Sequence, residues 1–441
     1  MYILMVIVFV LGYTAIALEH PIKIDKSASA LLTGVLCWTV LIIGAPEIFN
    51  GTVEHAQEAG GFSHFINEEL MEHLADIAGI LFFLLGAMTI VELIDAHGGF
   101  GVVTDKITTT NKVKLIWILA LTTFFFSAAL DNLTTSIVMA AVIRKLMKDK
   151  ADLWLFAGII IIAANAGGAW SPIGDVTTIM LWISGQITAA HIVEAIFIPS
   201  LVTILIPLIV LNFTLKGDVT RPDKPIQNKH GDITKGERNL IFFMGVGSLL
   251  FVPVFKTVTH LPPFMGILLG LGVLWLVTEI IHRSKNKEHY HHLTVVGTLR
   301  EVDVPSVLFF LGILLAVASL QTAGHLNLLA NYLDKTFGNI YIVNILIGLL
   351  SSIVDNVPLV AGAQGMYPLT TYPTDHTFWE FLAYCAGTGG SVLIIGSAAG
   401  VAIMGILKID FIWYLKKISL LALIGYFAGA AVFYVMNGGV Q

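Results

Sequence analysis

Apolar runs about as long as a bilayer is thick recur along the whole chain. A hydrocarbon core of about 30 Å takes about 20 apolar residues per helix. The runs fall at 1–18, 28–46, 74–94, 112–130, 132–147, 152–183, 190–215, 237–255, 262–281, 304–322, 338–354, 356–370, 378–407 and 416–436. Those at 152–183 and 378–407 are interrupted. Only 12% of the 441 residues are charged, against about 25% in soluble domains, and mean hydropathy is +0.85. These runs predict an all-α polytopic membrane protein. The first lacks a basic flank and a small-residue cleavage site, so it reads as a membrane helix and not a cleaved leader. Cys37 and Cys385 sit in apolar runs and suggest no disulfide framework. No basic, aromatic-interleaved patch points to nucleic acid, and no motif calls for a bound cofactor.

Polar stretches between the runs read as connecting loops. The longest candidate linker, 216–236, looks soluble and flexible, and divides a first half, 1–215, from a second, 237–441. Lys and Arg favour the cytoplasmic side of a membrane. With the N-terminus outside, every basic residue except Lys256 and Lys335 falls inside, and the C-terminus also lies outside. The stretch 47–73, with six glutamates and no basic residue, fits the outer face. This sorting requires two segment pairs that do not cross. The pair 112–130 and 132–147 reads as a hairpin entering from inside, with its tip at Asp131-Asn132. The pair 338–354 and 356–370 reads as a hairpin entering from outside, with its tip at Asp355-Asn356.

The halves echo each other. Phe83-Leu84-Leu85-Gly86 matches Phe310-Leu311-Gly312, and Gly98 matches Gly324. Ser127 to Asn132 matches Ser351 to Asn356, and Gly168 and Gly174 match Gly390 and Gly396, all in the same order at nearly constant separation. The charge sorting makes the repeats run in opposite directions. Inverted repeats with interrupted helices are typical of secondary transporters, with the site near the bilayer midplane.

Asp131 and Asp355 stand in otherwise apolar surroundings. A carboxylate at hydrocarbon depth is costly unless paired or hydrated. Asn132 and Asn356 follow them as neutral oxygen donors, Thr134 and Thr135 add hydroxyls to the first hairpin, and Pro358 shapes the second. Oxygen donors suit a hard metal cation, so Asp131 and Asp355 are the expected cation carboxylates. Burial favours protonation of the same groups and a bound cation favours ionisation, which lets one group serve two competing ligands. The plainer role for either aspartate is a helix cap.

The first break carries Asn165, Gly167, Gly168, Ser171, Pro172, Gly174 and Asp175, followed by Thr177 and Thr178. Pro172 lacks a donor and the glycines weaken the helix, so backbone carbonyls come free there. The second break carries Thr388, Gly389, Gly390, Ser391, Gly396 and Ser397 but no carboxylate. Asp175 could therefore be an ion ligand, a proton carrier or a cap. Asp76, Glu92, Glu194 and Glu279 also lie at possible membrane depth. Glu92, with Ala318 at its repeat counterpart, has a proton-handling or structural role. No Lys or Arg is expected beside either tip or break, which disfavours an anionic cargo. His289, His291 and His292 allow a cytoplasmic pH-sensing role, against the plainer reading of a solvated loop.

The segments Ser127–Met139, Asn165–Trp182, Ser351–Tyr367 and Ala386–Gly400, with the opening ALEHPIKIDKSA, resemble the NhaD-type sodium/proton antiporters of the ion transporter superfamily. That superfamily also includes arsenite permeases and divalent-anion/sodium symporters. The resemblance implies exchange of Na⁺ or Li⁺ for H⁺ in a bacterial inner membrane, in support of salt and alkali tolerance. It implies homodimers in the lipid, in which a scaffold around 28–46 and 237–281 carries a transport domain made of the hairpins and broken helices. Symporter tips resemble Ser-Asn-Thr. Here they read Asp131-Asn132-Leu133-Thr134 and Asp355-Asn356-Val357-Pro358, which favours a cation as cargo. The rival readings are a sodium-coupled dicarboxylate symporter and a non-transporting scaffold or sensor.

Overall fold

The computed structural model describes residues 1–49, 61–104, 106–222, 233–283, 293–353 and 355–438. Apart from three single-turn helices they form eighteen helices, named here in chain order. The first half contains α1 (Tyr2–Ala17), α2 (Lys26–Ile48), α3 (Phe62–Ala96), α4 (Lys112–Leu130), α5 (Asn132–Leu146), α6 (Lys150–Ala169), α7 (Val176–Ile183) and α8 (Ala189–Thr214). The second contains α9 (Lys235–Thr259), α10 (Pro263–His282), α11 (Val304–Thr322), α12 (His325–Phe337), α13 (Ile340–Leu350), α14 (Asn356–Met366), α15 (Thr377–Gly389), α16 (Ala398–Leu407), α17 (Phe411–Lys417) and α18 (Ser419–Met436). Nine of these helices are long and apolar enough to cross a membrane by themselves. The chain is an all-α, multi-pass membrane protein.

Both segment pairs fold back as hairpins. The backbone N–H of Lys112, at the start of α4, donates to Gly217 O at 3.1 Å, and that of Lys148, just after α5, donates to Thr220 O at 2.8 Å. The two arms therefore return to one short segment. At the base of the second hairpin the Tyr367 hydroxyl donates to Asp334 Oδ1 at 2.9 Å, and Asp334 lies just before α13. The α13 and α14 arms are shorter than the apolar runs they come from.

The first broken helix, α6–α7, starts beside the base of the first hairpin, where Lys112 pairs with Asp152 at 2.7 Å. It ends where Lys256 Nζ donates to Trp182 O at 2.9 Å. The second, α15–α16, starts at that end, next to Asp375, whose carboxylate accepts the Thr188 N–H at 2.6 Å. It finishes where Trp154 Nε1 donates to Leu407 O at 3.2 Å. The repeats are thus inverted. They also interlock, since α16 packs on α5 of the first hairpin and α7 packs on α14 of the second.

The echoed motifs do equivalent work. Ser127 Oγ donates to Ala164 O at 2.5 Å, and Ser351 Oγ donates to Ala386 O at 2.9 Å. A side chain on Gly167 would run into the Phe124 carbonyl, and one on Gly389 into the Gly348 carbonyl. Small residues let helices approach this closely in a membrane. The same logic joins α2 to α11, where Gly312 faces Ala30 backbone and Gly34 faces Gly312 O. Ser27 Oγ to Pro305 O at 2.8 Å and Trp38 Nε1 to Leu315 O at 2.9 Å show that these helices run parallel.

Four expectations need correction. The acidic stretch 47–73 is helical from Phe62, because 62–73 extends the spanning helix beyond its apolar part; residues 50–60 lie outside the described residues. The polar stretch after 322 is not a plain loop. It forms α12, an amphipathic helix that buries Leu326 and Ala330. The start of the linker is anchored and not free, since the chain at 217–220 hydrogen-bonds to the hairpin base. The last apolar segment divides at Ile418 into α17 and α18.

Candidate functional site

Three carboxylates converge on the interlocked breaks, and each caps a helix. Asp131 Oδ1 accepts the Thr134 N–H at 2.8 Å and Oδ2 accepts the Thr134 hydroxyl at 2.8 Å. Asp175 Oδ1 accepts the Thr177 N–H at 2.8 Å and the Thr177 hydroxyl at 2.6 Å. Asp355 Oδ1 accepts the Val357 N–H at 3.2 Å. The capping role is therefore real, and it coexists with contacts that capping does not require. A helix N-terminus favours negative charge, so the cap position offsets part of the cost of burying each carboxylate.

Asp175 is the centre of those contacts. Asn132 Nδ2 donates to its Oδ2, and Asn356 Nδ2 donates to its Oδ1 at 3.4 Å. One asparagine comes from each hairpin tip. Asn132 Nδ2 also donates to Asn165 Oδ1 at 3.1 Å, and Asn165 Nδ2 donates to Ser391 Oγ at 3.0 Å and Ser397 Oγ at 2.9 Å. A buried polar chain thus runs from both tips through the first break into the second. A buried network is stable only if its members are paired, and here the two repeats pair each other.

Several expected site residues face elsewhere. Ser171 Oγ donates to Ala128 O at 2.5 Å and ties the break to the hairpin backbone. Thr388 Oγ1 donates back to Tyr384 O at 2.6 Å within its own helix. Glu92 is half-buried near Asp95 and Glu301, away from the network. Glu194 and Glu279 are exposed. Asp76 joins Glu69, Glu72, His73, Gln321 and Gln364 in lining a cavity of about 590 Å³ that reaches α7 and α14. His289, His291 and His292 lie outside the described residues. Cys37 and Cys385 are both free and buried.

Two polar groups escaped the sequence reading. The first is Ser136, whose hydroxyl, like that of Thr135, is buried without a hydrogen-bond partner. The second is Lys26. Its Nζ lies 3.2 Å from Asp355 Oδ2, which overturns the expectation that no basic residue stands beside a tip. The two residues are 329 positions apart, so only the packing of the α2 end beside the second hairpin could reveal the pair. Among the described residues, no three acidic, His or Cys side chains are grouped closely enough to hold a metal ion. A cation here would need the neutral oxygens as well.

Comparison with known proteins bears on what this geometry serves. Two Arabidopsis thaliana proteins described as sodium/proton antiporters 1 and 2 are similar over 98% of this chain. The first is 47% identical, with 72% of its length covered, and the second 42% identical, with 99% covered. The Na⁺/H⁺ antiporter NhaD of Vibrio cholerae is 31% identical over 98% of this chain and 91% of its own. The chain belongs to the NhaD-type sodium/proton antiporter family. A family model described as a citrate transporter also matches residues 13–382. The protein is accordingly a secondary transporter and not an enzyme.

Proposed function

We propose that the protein exchanges Na⁺ or Li⁺ for H⁺ across the membrane by alternating access. The observation that carries this reading is the Asp175 carboxylate, buried where the inverted repeats cross and held by an asparagine from each hairpin tip. Asp131 and Asp355 flank it. Asn132, Asn356, Asn165, Thr134, Thr135 and Ser391 supply neutral oxygens, while Ser171 and Thr388 hold the breaks in shape. This all-oxygen set suits a hard monovalent cation. Protons would bind on the outer side and leave inside, where Na⁺ replaces them. An unpaired carboxylate is expensive in hydrocarbon, so only loaded forms cross readily, and that penalty couples the two fluxes.

In this reading the hairpins and broken helices move against a scaffold of α2, α9 and α10, and two copies associate in the lipid. Exposed apolar side chains on α9 and α10, among them Phe243, Leu250, Leu269 and Leu276, are consistent with a membrane-facing scaffold. The membrane is the bacterial inner membrane, as the family resemblance implies, and the sorting of Lys and Arg supports both chain ends lying outside. The physiological roles are pH homeostasis and salt tolerance.

The citrate-transporter description favours a second reading, sodium-coupled uptake of a carboxylate anion. Three carboxylates, with a single lysine beside Asp355, make a poor seat for a tricarboxylate. Purified protein in proteoliposomes should acidify or alkalinise the lumen in response to Na⁺ without any organic anion. A Na⁺ response that appears only with citrate or a dicarboxylate would overturn the antiport reading.

A further inference from the structure

We propose that the Lys26 ammonium is a tethered cation that occupies Asp355 when no transported cation is there, so that Na⁺ must displace it. The inference rests on the antiport reading above.

The geometry supplies the seat. Lys26 Nζ lies 3.2 Å from Asp355 Oδ2, while Oδ1 is engaged by the Val357 N–H. The ammonium also sits over the Phe309 ring, 4.3 Å from its centroid, a favourable face for a cation. Both charged side chains are largely buried, Lys26 at 22% exposure and Asp355 at 14%. A pair in such surroundings is costly to leave half-made. Something positive must therefore replace the lysine whenever it leaves.

The sequence explains why a lysine is needed at this tip and not at the other. At the first tip the Thr134 hydroxyl binds the second oxygen of Asp131. At the equivalent place in the second hairpin stands Pro358, which offers neither a hydroxyl nor an N–H. Asp355 Oδ2 is thus without a local donor, and Lys26 reaches it from another part of the fold.

The attachment points give the pair its consequence. Lys26 is the first residue of α2, where Asp25 caps the helix through the Ser27 N–H at 2.7 Å. Close contact with α11 at Gly34 and Gly312 anchors that helix. Asp355 belongs to a hairpin tip. The ammonium rides on a flexible four-carbon stem, so it can leave Asp355 while its backbone stays fixed. It therefore competes with Na⁺ on one side of the bilayer and joins the scaffold to the moving hairpin.

The test compares Na⁺ dependence of exchange in proteoliposomes for the wild type, Lys26→Gln and Lys26→Arg. Removing the competitor should lower the KM for Na⁺ at least threefold in Lys26→Gln, and Lys26→Arg should restore it towards wild type. An unchanged or higher KM in an active Lys26→Gln protein would overturn the proposal. The wild type gives a second reading should that variant not assemble. Amine-reactive labelling of Lys26, quantified by mass spectrometry, should rise severalfold in Na⁺ relative to choline, with Lys256 as the internal reference. Equal or lower labelling in Na⁺ refutes the displacement. Failure of the antiport reading itself would look different, because the wild type would then show no Na⁺-driven proton movement.

Discussion

The two hairpin tips share a backbone plan and differ in charge. In each, a serine hydroxyl clamps the tip to a broken helix, an aspartate caps the second arm, and the next asparagine reaches Asp175. Asp131, however, is satisfied within its own arm, and its backbone has φ 79° and ψ 159°. That region is populated almost solely by glycine and costs on the order of 1–3 kcal/mol, a strain that clusters at functional sites. Asp355 has an ordinary backbone, with φ −51° and ψ 136°, and takes its second partner from α2. Inverted duplication thus preserved the scaffold of the tip while the electrostatic environment diverged. Equivalent residues in such a protein should not be assigned equal roles on symmetry alone.

The comparison can be broken first at the point the tips share. Asp175→Asn should reduce Na⁺/H⁺ exchange by about 100-fold or more in proteoliposomes with monodispersity retained, since one buried charge-assisted site contributes roughly 3 kcal/mol. Near-wild-type exchange would remove Asp175 from the centre. The asparagines come next. Asn132→Ala strips two contacts, to Asp175 and Asn165, whereas Asn356→Ala strips one longer contact. Exchange should fall about 30-fold in the first and about fivefold in the second, by the worth of about 1 kcal/mol per hydrogen bond. Equal losses would argue that the tips contribute alike.

Thr134→Val probes the local partner of Asp131. It should raise the KM for Na⁺ about tenfold and leave Lys26 labelling unaltered, from the loss of one hydrogen bond to a charged group worth about 1.5 kcal/mol. A change in that labelling would mean that the tips are electrostatically coupled. Gly167→Ala and Gly389→Ala compare the backbone clamps. Each pushes a Cβ into a carbonyl oxygen of the facing hairpin, so each should destabilise by about 1–3 kcal/mol and lower the Tm in detergent.

The smallest effect concerns the entry to the broken helices. Asp149 caps α6 through the Ala151 N–H, but His376 caps α15 by accepting the Phe378 N–H at its Nδ1 at 3.1 Å. Burial lowers the pKa of His376 from its ordinary 6.5. Its neutral form therefore favours the folded state. That contribution is present above about pH 6.5 and is lost as pH falls through the lowered folded-state value. Melting curves between pH 7.5 and pH 5 should show a small decrease that His376→Asn removes, because asparagine caps without titrating.

How much of this was legible from residues alone depends on distance along the chain. Breaks at Gly167-Gly168 and Pro172 were readable, because glycine and proline act on their own backbone. The hairpins needed only the basic residues at both ends of the first apolar pair and their absence after the second. Helix α12 was missed because its apolar residues lie on a single face and its polar ones lower its mean hydropathy below that of a span. Asp175 was recognised as a candidate, yet nothing local distinguished a cap from a hub. Ser171 and Thr388 were chemically plausible oxygens whose hydroxyls turn out to serve nearby carbonyls.

The sequence by itself determined the membrane class, the inverted repeat and the presence of two hairpins and two helix breaks. These follow from hydropathy, glycine placement and charge sorting, which act over one helix length. Only the tertiary structure decided that Asp175 joins the two tips and that Lys26 covers Asp355. Electrostatic partners are chosen by proximity in space, and Lys26 and Asp355 stand 329 residues apart in the chain.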